Sequence, residues 1–241
     1  METEKKYKLT DKFITLGNRK LYRIEALKSF YNVKKGDKGG FVESENNLSQ
    51  KGNCWIHNDA KVYGDAKVLD NAKIYNNAEV FDNAKIFGDT LIYGYAKVYG
   101  DTKVWNDSMI YDDAKVYGDA NIFGNAKVKE NAEVYGNANV CGNVLIYGKA
   151  KIYGEAKVFG EAEVKSNAII LSNSDYIVFK NWWSSGRYFT WTRSNNMWKV
   201  GCFYGTGEEL IEKAYKDSEI SGREYERVVK YVESILKDNY S

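Results

Sequence analysis

Residues 61–80 read KVYGDAKVLDNAKIYNNAEV, in which Val62, Val68, Ile74 and Val80 recur every six residues, each two places after an alanine. Extended outward, the spacing holds without a break from Ile56 to Ile170, and all 20 positions at this period are Val or Ile. From residue 60 to residue 168, 15 of the positions two residues earlier are Ala; Thr90, Thr102, Ser108 and Val144 are the exceptions. Neither the 3.6 period of a helix nor the period of two of a long strand gives a strict six, whereas a short strand followed by a turn does. The small residue and the β-branched residue, two apart, then share one strand face and point inward. The turn falls on pairs such as Gly64-Asp65 and Gly100-Asp101, residues that tolerate positive φ. The chain has no proline, which suits strands that all use their N–H groups in a ladder.

This pattern resembles the hexapeptide repeat of left-handed parallel β-helices, whose triangular coils each take three hexads. The resemblance implies a mainly β fold: a single-stranded triangular β-helix over residues 56–173. At the ~4.8 Å spacing of paired strands, its six to seven coils would stand roughly 32 Å tall. The chain departs from the family in putting an aromatic, rather than glycine, directly after the inward aliphatic. A solenoid has open ends, so residues 1–55 and 174–241 read as an N-terminal β cap and a C-terminal module that protect the terminal strands.

The flanks differ from the repeat in composition. The net charge of +2 is made of +5 over residues 1–55, −3 over 56–173 and zero over 174–241, and all six arginines lie outside the repeat. The N-terminal part offers strand-like Phe13–Leu16 and Leu21–Ile24, and Gly36–Gly40 reads as a turn. Residues 175–204 read as a small antiparallel sheet with strands Tyr176–Phe179, Arg187–Arg193 and Met197–Phe203. Capping boxes at Thr206 and Ser221 predict two helices after it, completing a ββα-like module. The N-terminal part, with Phe41-Val42-Glu43-Ser44-Glu45, and the run Trp198-Lys199-Val200-Gly201-Cys202-Phe203 are similar to hexapeptide-repeat proteins common in phages and prophages, some of whose bacterial relatives carry an acetyltransferase label.

Several function classes recede at this stage. A lone histidine, His57, leaves no partner for the multi-histidine metal centres or most histidine dyads. Cys54, Cys141 and Cys202 are far apart and show no C-x-x-C spacing, so reduced thiols are expected, with no metal and no cofactor. No run of about 18 apolar residues exists to span a bilayer, and the charged opening METEKKYKLTDKF reads as cytoplasmic rather than exported. The Asp/Asn row at the corners (Asp65, Asn83, Asp101, Asp119, Asn137) reads as turn chemistry.

Two surfaces remain as candidates. With 18 residues per coil, Leu69, Phe87, Trp105, Phe123, Cys141 and Phe159 stack on one face, a stripe without a tyrosine; on another, Leu91, Met109 and Leu145 replace the usual lysine. Aromatic stacking or a cap would cover these stripes, or else self-association or a partner protein. In the C-terminal sheet, Arg187, Arg193 and Lys199 surround Trp182, Trp183, Trp191 and Trp198, a composition that fits either a binding hot spot or a small core. Lys67, Lys85, Lys103 and Lys157 beside aromatics also suit a single nucleic-acid strand, although corner carboxylates offset their charge.

The expectation is therefore a non-catalytic β-solenoid that acts by binding a protein. The resemblance implies a phage or prophage accessory role, blocking a host defence effector such as a CRISPR nuclease, and side-by-side trimers or a dimer. It also supplies two alternatives: an acyl-CoA-dependent acetyltransferase with His57 as general base, or a virion or scaffold component.

Overall fold

A computed structural model describes residues 4–238. The aliphatic of each period-six unit sits in a short strand, mostly two residues long, that pairs in parallel with the strand 18 residues further on, as Lys97 and Val98 do with Lys115 and Val116. The result is a parallel β-solenoid of about seven turns whose sides are three parallel sheets. All 20 aliphatics from Ile56 to Ile170 are fully buried and form one continuous core with the alanines. Burial of a Val or Ile side chain stabilises by about 1.5–3 kcal/mol, so the spine is the main source of cohesion.

The exceptions to the alanine pattern have a local explanation. Thr90, Thr102 and Ser108 are also fully buried, and each hydroxyl donates to the carbonyl three residues earlier: Phe87 at 2.7 Å, Tyr99 at 2.7 Å and Trp105 at 2.9 Å. A buried hydroxyl so paired avoids the desolvation penalty of an unsatisfied one.

Corners follow the chemistry of positive φ. Gly, Asn and Asp occupy nearly all of them, for example Gly118 at φ 73° and Asp112 at φ 57°, with Glu130 and Ser166 as the departures. Where the corner carries a side chain, it often reaches the next coil: Asp70 accepts from the Gly88 amide at 3.2 Å, and Glu130 from that of Gly148 at 2.9 Å.

At the N-terminal end, β1 (Tyr7–Leu16) and β2 (Arg19–Ala26) pair antiparallel, β2 pairs with β3 (Lys38–Val42), and β3 then runs parallel to Lys61–Val62. The parallel ladder therefore begins before the period-six run does, with a 20-residue offset between Phe41 and Lys61 and between Leu48 and Val68. The Gly36–Gly40 stretch is a turn only at its start. Gly39 and Gly40 lie within β3, because a Cβ on Gly40 would overlap the Ala60 carbonyl of the coil above.

The C-terminal module holds a four-stranded antiparallel sheet and two helices, α1 (Gly207–Asp217) and α2 (Glu219–Asp238). The stretch expected as one strand from Met197 to Phe203 is broken in two: Gly201 takes φ 53° in a turn with Cys202, so Met197–Val200 and Phe203–Gly205 form a hairpin. Thr206 caps α1 with Glu209 as expected, but Ser221 lies inside α2. Ser218, the C-cap of α1, receives the Ser221 amide at 3.1 Å and so starts α2 nearly one turn earlier.

Side chains close the open end of the stack. Thr190 accepts from the amide of Glu163 at 2.9 Å, Ser194 from Ile169 at 2.7 Å, Tyr176 from Phe159 at 3.2 Å and Asn173 from Lys157 at 3.0 Å. These amides belong to terminal strands and have no further coil to bond, which is the edge liability that sheet proteins must cover.

Candidate functional site

The tyrosine-free stripe is a ring stack. Phe87, Trp105 and Phe123 lie face to face at centroid distances of 5.6 and 4.5 Å with nearly parallel planes. Stacking along the axis hides the ring faces and leaves the residues half-buried, which accounts for their burial without a covering element. Leu69 and Cys141 are half-buried as well, and Phe159, at the end, is exposed and meets Tyr176 edge-on. On the neighbouring face Leu91 and Met109 pair in register, but Lys127 separates them from Leu145, so the second apolar stripe is discontinuous.

The lysine columns differ. On the sheet containing Glu79 and Glu133, Lys61 and Lys97 lie 3.3 and 3.9 Å from Glu79, and Lys151 lies 3.8 Å from Glu133. On the Phe/Trp face Lys67, Lys85 and Lys103 stand in direct register, and among the described residues none of the three makes an ion pair. Asp65, Asp101 and Asp119 nevertheless line the same shallow groove, so its charges largely cancel.

The C-terminal sheet divides its tryptophans. Trp191 and Trp198 face each other across paired strands and are 1% and 2% exposed, in a core with Phe189, Leu210, Val229 and Val232. They belong to the core and present no surface, because α1 and α2 cover that face of the sheet. Trp183 is half-buried against Phe189 and Tyr225, both at 5.9 Å. Lys199, 9% exposed, is committed to an ion pair with Glu163 at 3.0 Å that helps dock the module on the last coil. Arg193 is half-buried beside the turn that follows its strand.

Trp182 and Arg187 remain outside, Trp182 at 81% exposure. Their turn is built, not loose: buried Asn181 donates to the Ser184 hydroxyl at 2.8 Å, accepts from the Ser184 amide at 2.9 Å, and donates its own backbone amide to the Arg187 carbonyl at 2.7 Å. Beside this turn a cleft of about 480 Å³ opens between the module and the solenoid, lined by Lys127, Leu145, Glu161, Arg187 and Tyr188. Sequence reasoning missed Tyr188 and Glu161, because the cleft forms only when segments distant in sequence dock.

His57 behaves as another ring of the solenoid face. It stacks on Tyr75 at 4.2 Å with planes 9° apart. Burial, with a smaller contribution from Lys73, pushes its pKa down to about 4, so the imidazole is neutral at neutral pH. Its Nε2 is buried without a hydrogen-bond partner.

No helix among the described residues is long and apolar enough to cross a membrane, and none of their His, Cys, Asp or Glu side chains form a group of three placed to hold a metal ion. In comparisons with known proteins, no family model and no curated protein matches the chain.

Proposed function

We propose that the chain is a left-handed, triangular hexapeptide-type solenoid that works as a non-catalytic binding protein. Its role would be that of a phage or prophage accessory factor in the host cytoplasm that blocks a host component, of the anti-defence kind. The observation that carries the binding reading is Trp182: a tryptophan exposed at 81% on a turn fixed by Asn181, next to Arg187 and a cleft. Its ring meets Trp183 edge-on at 6.1 Å and still leaves most of its surface to solvent, and Trp and Arg are the residue types that dominate binding hot spots. The fixed turn lowers the ordering cost of association.

The test is affinity capture from bacterial lysate with the wild-type protein and with Trp182→Ala and Arg187→Glu. A specific protein band lost in both variants, whose thermal stability matches wild type, supports this reading. A band retained by both variants, or none with wild type, overturns it.

The acetyltransferase reading draws on the neutral imidazole of His57, the form a general base requires. Its ring is held flat against Tyr75 and its buried Nε2 has no partner, which weighs against that role.

A further inference from the structure

Lysine is almost never fully buried without an acidic partner. Lys6, next to the start of β1, is 1% exposed, and its Nζ faces the carbonyl oxygens of Cys54, Lys51 and Gly52 at 3.0, 3.3 and 3.4 Å and, among the described residues, pairs with no carboxylate. The fourth contact is the Sγ of Cys54, 3.3 Å away and itself fully buried. That sulfur also lies 3.6 and 3.7 Å from the carbonyl oxygens of Ser49 and Lys51, to which a thiol donates. Burial lowers the pKa of Lys6, helped by Lys28, and raises that of Cys54, so both groups are driven toward uncharged amine and thiol. A cleft of about 800 Å³, lined by Lys6, Phe30 and Gly52, opens on the Lys6 side of the pair.

We propose that Lys6 and Cys54 form a covalent modification site at which dioxygen inserts one oxygen atom between Nζ and Sγ, tying the start of β1 to the beginning of the first period-six coil through an N–O–S bridge. The ammonium first loses a proton to solvent. One N–H, the S–H and the O–O bond then break, N–O and O–S bonds form, and the second oxygen leaves as water with the two hydrogens. Nitrogen and sulfur give up two electrons each and dioxygen takes four. The bridge closes residues 6 to 54 into a ring, so it stabilises the N-terminal cap in the way a disulfide does. A thiol donor added in excess opens it: attack at sulfur breaks the O–S bond and leaves a hydroxylamine on Lys6 and a mixed disulfide on Cys54, from which a second thiol releases the free cysteine.

The experiment uses the full chain with Cys141→Ser and Cys202→Ser, which leaves Cys54 as its one thiol. Protein purified anaerobically with reductant is moved to air-saturated buffer and followed by intact mass and peptide mapping. The expected result is a gain of one oxygen less two hydrogens, with a single peptide joining Lys6 to Cys54. The joined peptide should be lost and the thermal midpoint should fall on adding dithiothreitol. Lys6→Arg in the same background should gain no such mass. If Lys6→Arg does not fold, the joined peptide and its opening by dithiothreitol decide the matter. An unchanged mass in air, or gain of a whole oxygen with a dimedone-reactive Cys54 and no joined peptide, overturns the proposal.

Discussion

Replacing Gly118 by alanine tests how closely the corners stack. Gly118 holds φ at 73°, and a Cβ built on it stands 2.9 Å from the amide nitrogen of Gly136 in the next coil. The left-handed conformation costs an L-residue about 1–2 kcal/mol. The contact falls on backbone that is itself bonded, since the Asp119 amide donates to the Gly136 carbonyl at 2.9 Å, so relief means moving a coil; overpacking of that kind costs about 1–3 kcal/mol. Alanine restricts the unfolded chain and returns about 0.4–1 kcal/mol. The net loss is about 1–4.6 kcal/mol. Gly160 supplies the control: its φ is 77°, yet a Cβ there meets nothing within 4 Å, so Gly160→Ala keeps the conformational cost without the contact and loses only about 0–1.6 kcal/mol. Urea unfolding followed by circular dichroism measures both. The midpoint should fall further for Gly118→Ala at an unchanged slope. Equal losses at the two sites would refute the claim that inter-coil contact sets the corner residue.

His57 is the chain's one histidine, so its ring protons are unambiguous in an NMR titration and should move with a midpoint near pH 4. Because the folded state binds that proton less readily than the unfolded state, stability should fall as pH drops from the ordinary histidine value toward about 4 and level off below it. His57→Tyr should remove this slope. Trp191→Ala should cost about 3–5 kcal/mol in urea unfolding, as a buried aromatic deletion does. Trp182→Ala should stay within about 0.5 kcal/mol, as exposed positions do. Acetyl-CoA should leave the thermal midpoint of the wild-type protein unchanged; a rise that disappears in His57→Ala would establish the acyltransferase reading instead.

The solenoid was legible because each unit repeats the same local decision. Val or Ile at every sixth place fixes what faces inward, and a corner residue tolerant of positive φ fixes where the strand ends; that three such units make one coil, as the 18-residue register of Lys97 with Lys115 shows, was implied by the resemblance and not by the spacing. The caps have no such redundancy. β3 joins the ladder at an offset of 20, which nothing in the period announces. The glycines that permit it look like turn residues until the Ala60 carbonyl is seen beside Gly40. Division of the tryptophans was equally hidden. Trp191 and Trp198 become a core pair because α1 and α2 cover their face of the sheet, while Asn181 turns the chain so that Trp182 points away. Which face a helix will cover is a tertiary choice, and composition is silent on it.

The side chains of Thr190, Ser194, Tyr176 and Asn173 that cover the terminal amides ask nothing of the middle of the shaft. Any whole coil excised or duplicated between the two ends leaves both lids seated on the surfaces they already fit. The molecule is thus a telescoping spacer: evolution, or an engineer, can lengthen it in clicks of about 4.8 Å without redesigning either terminus.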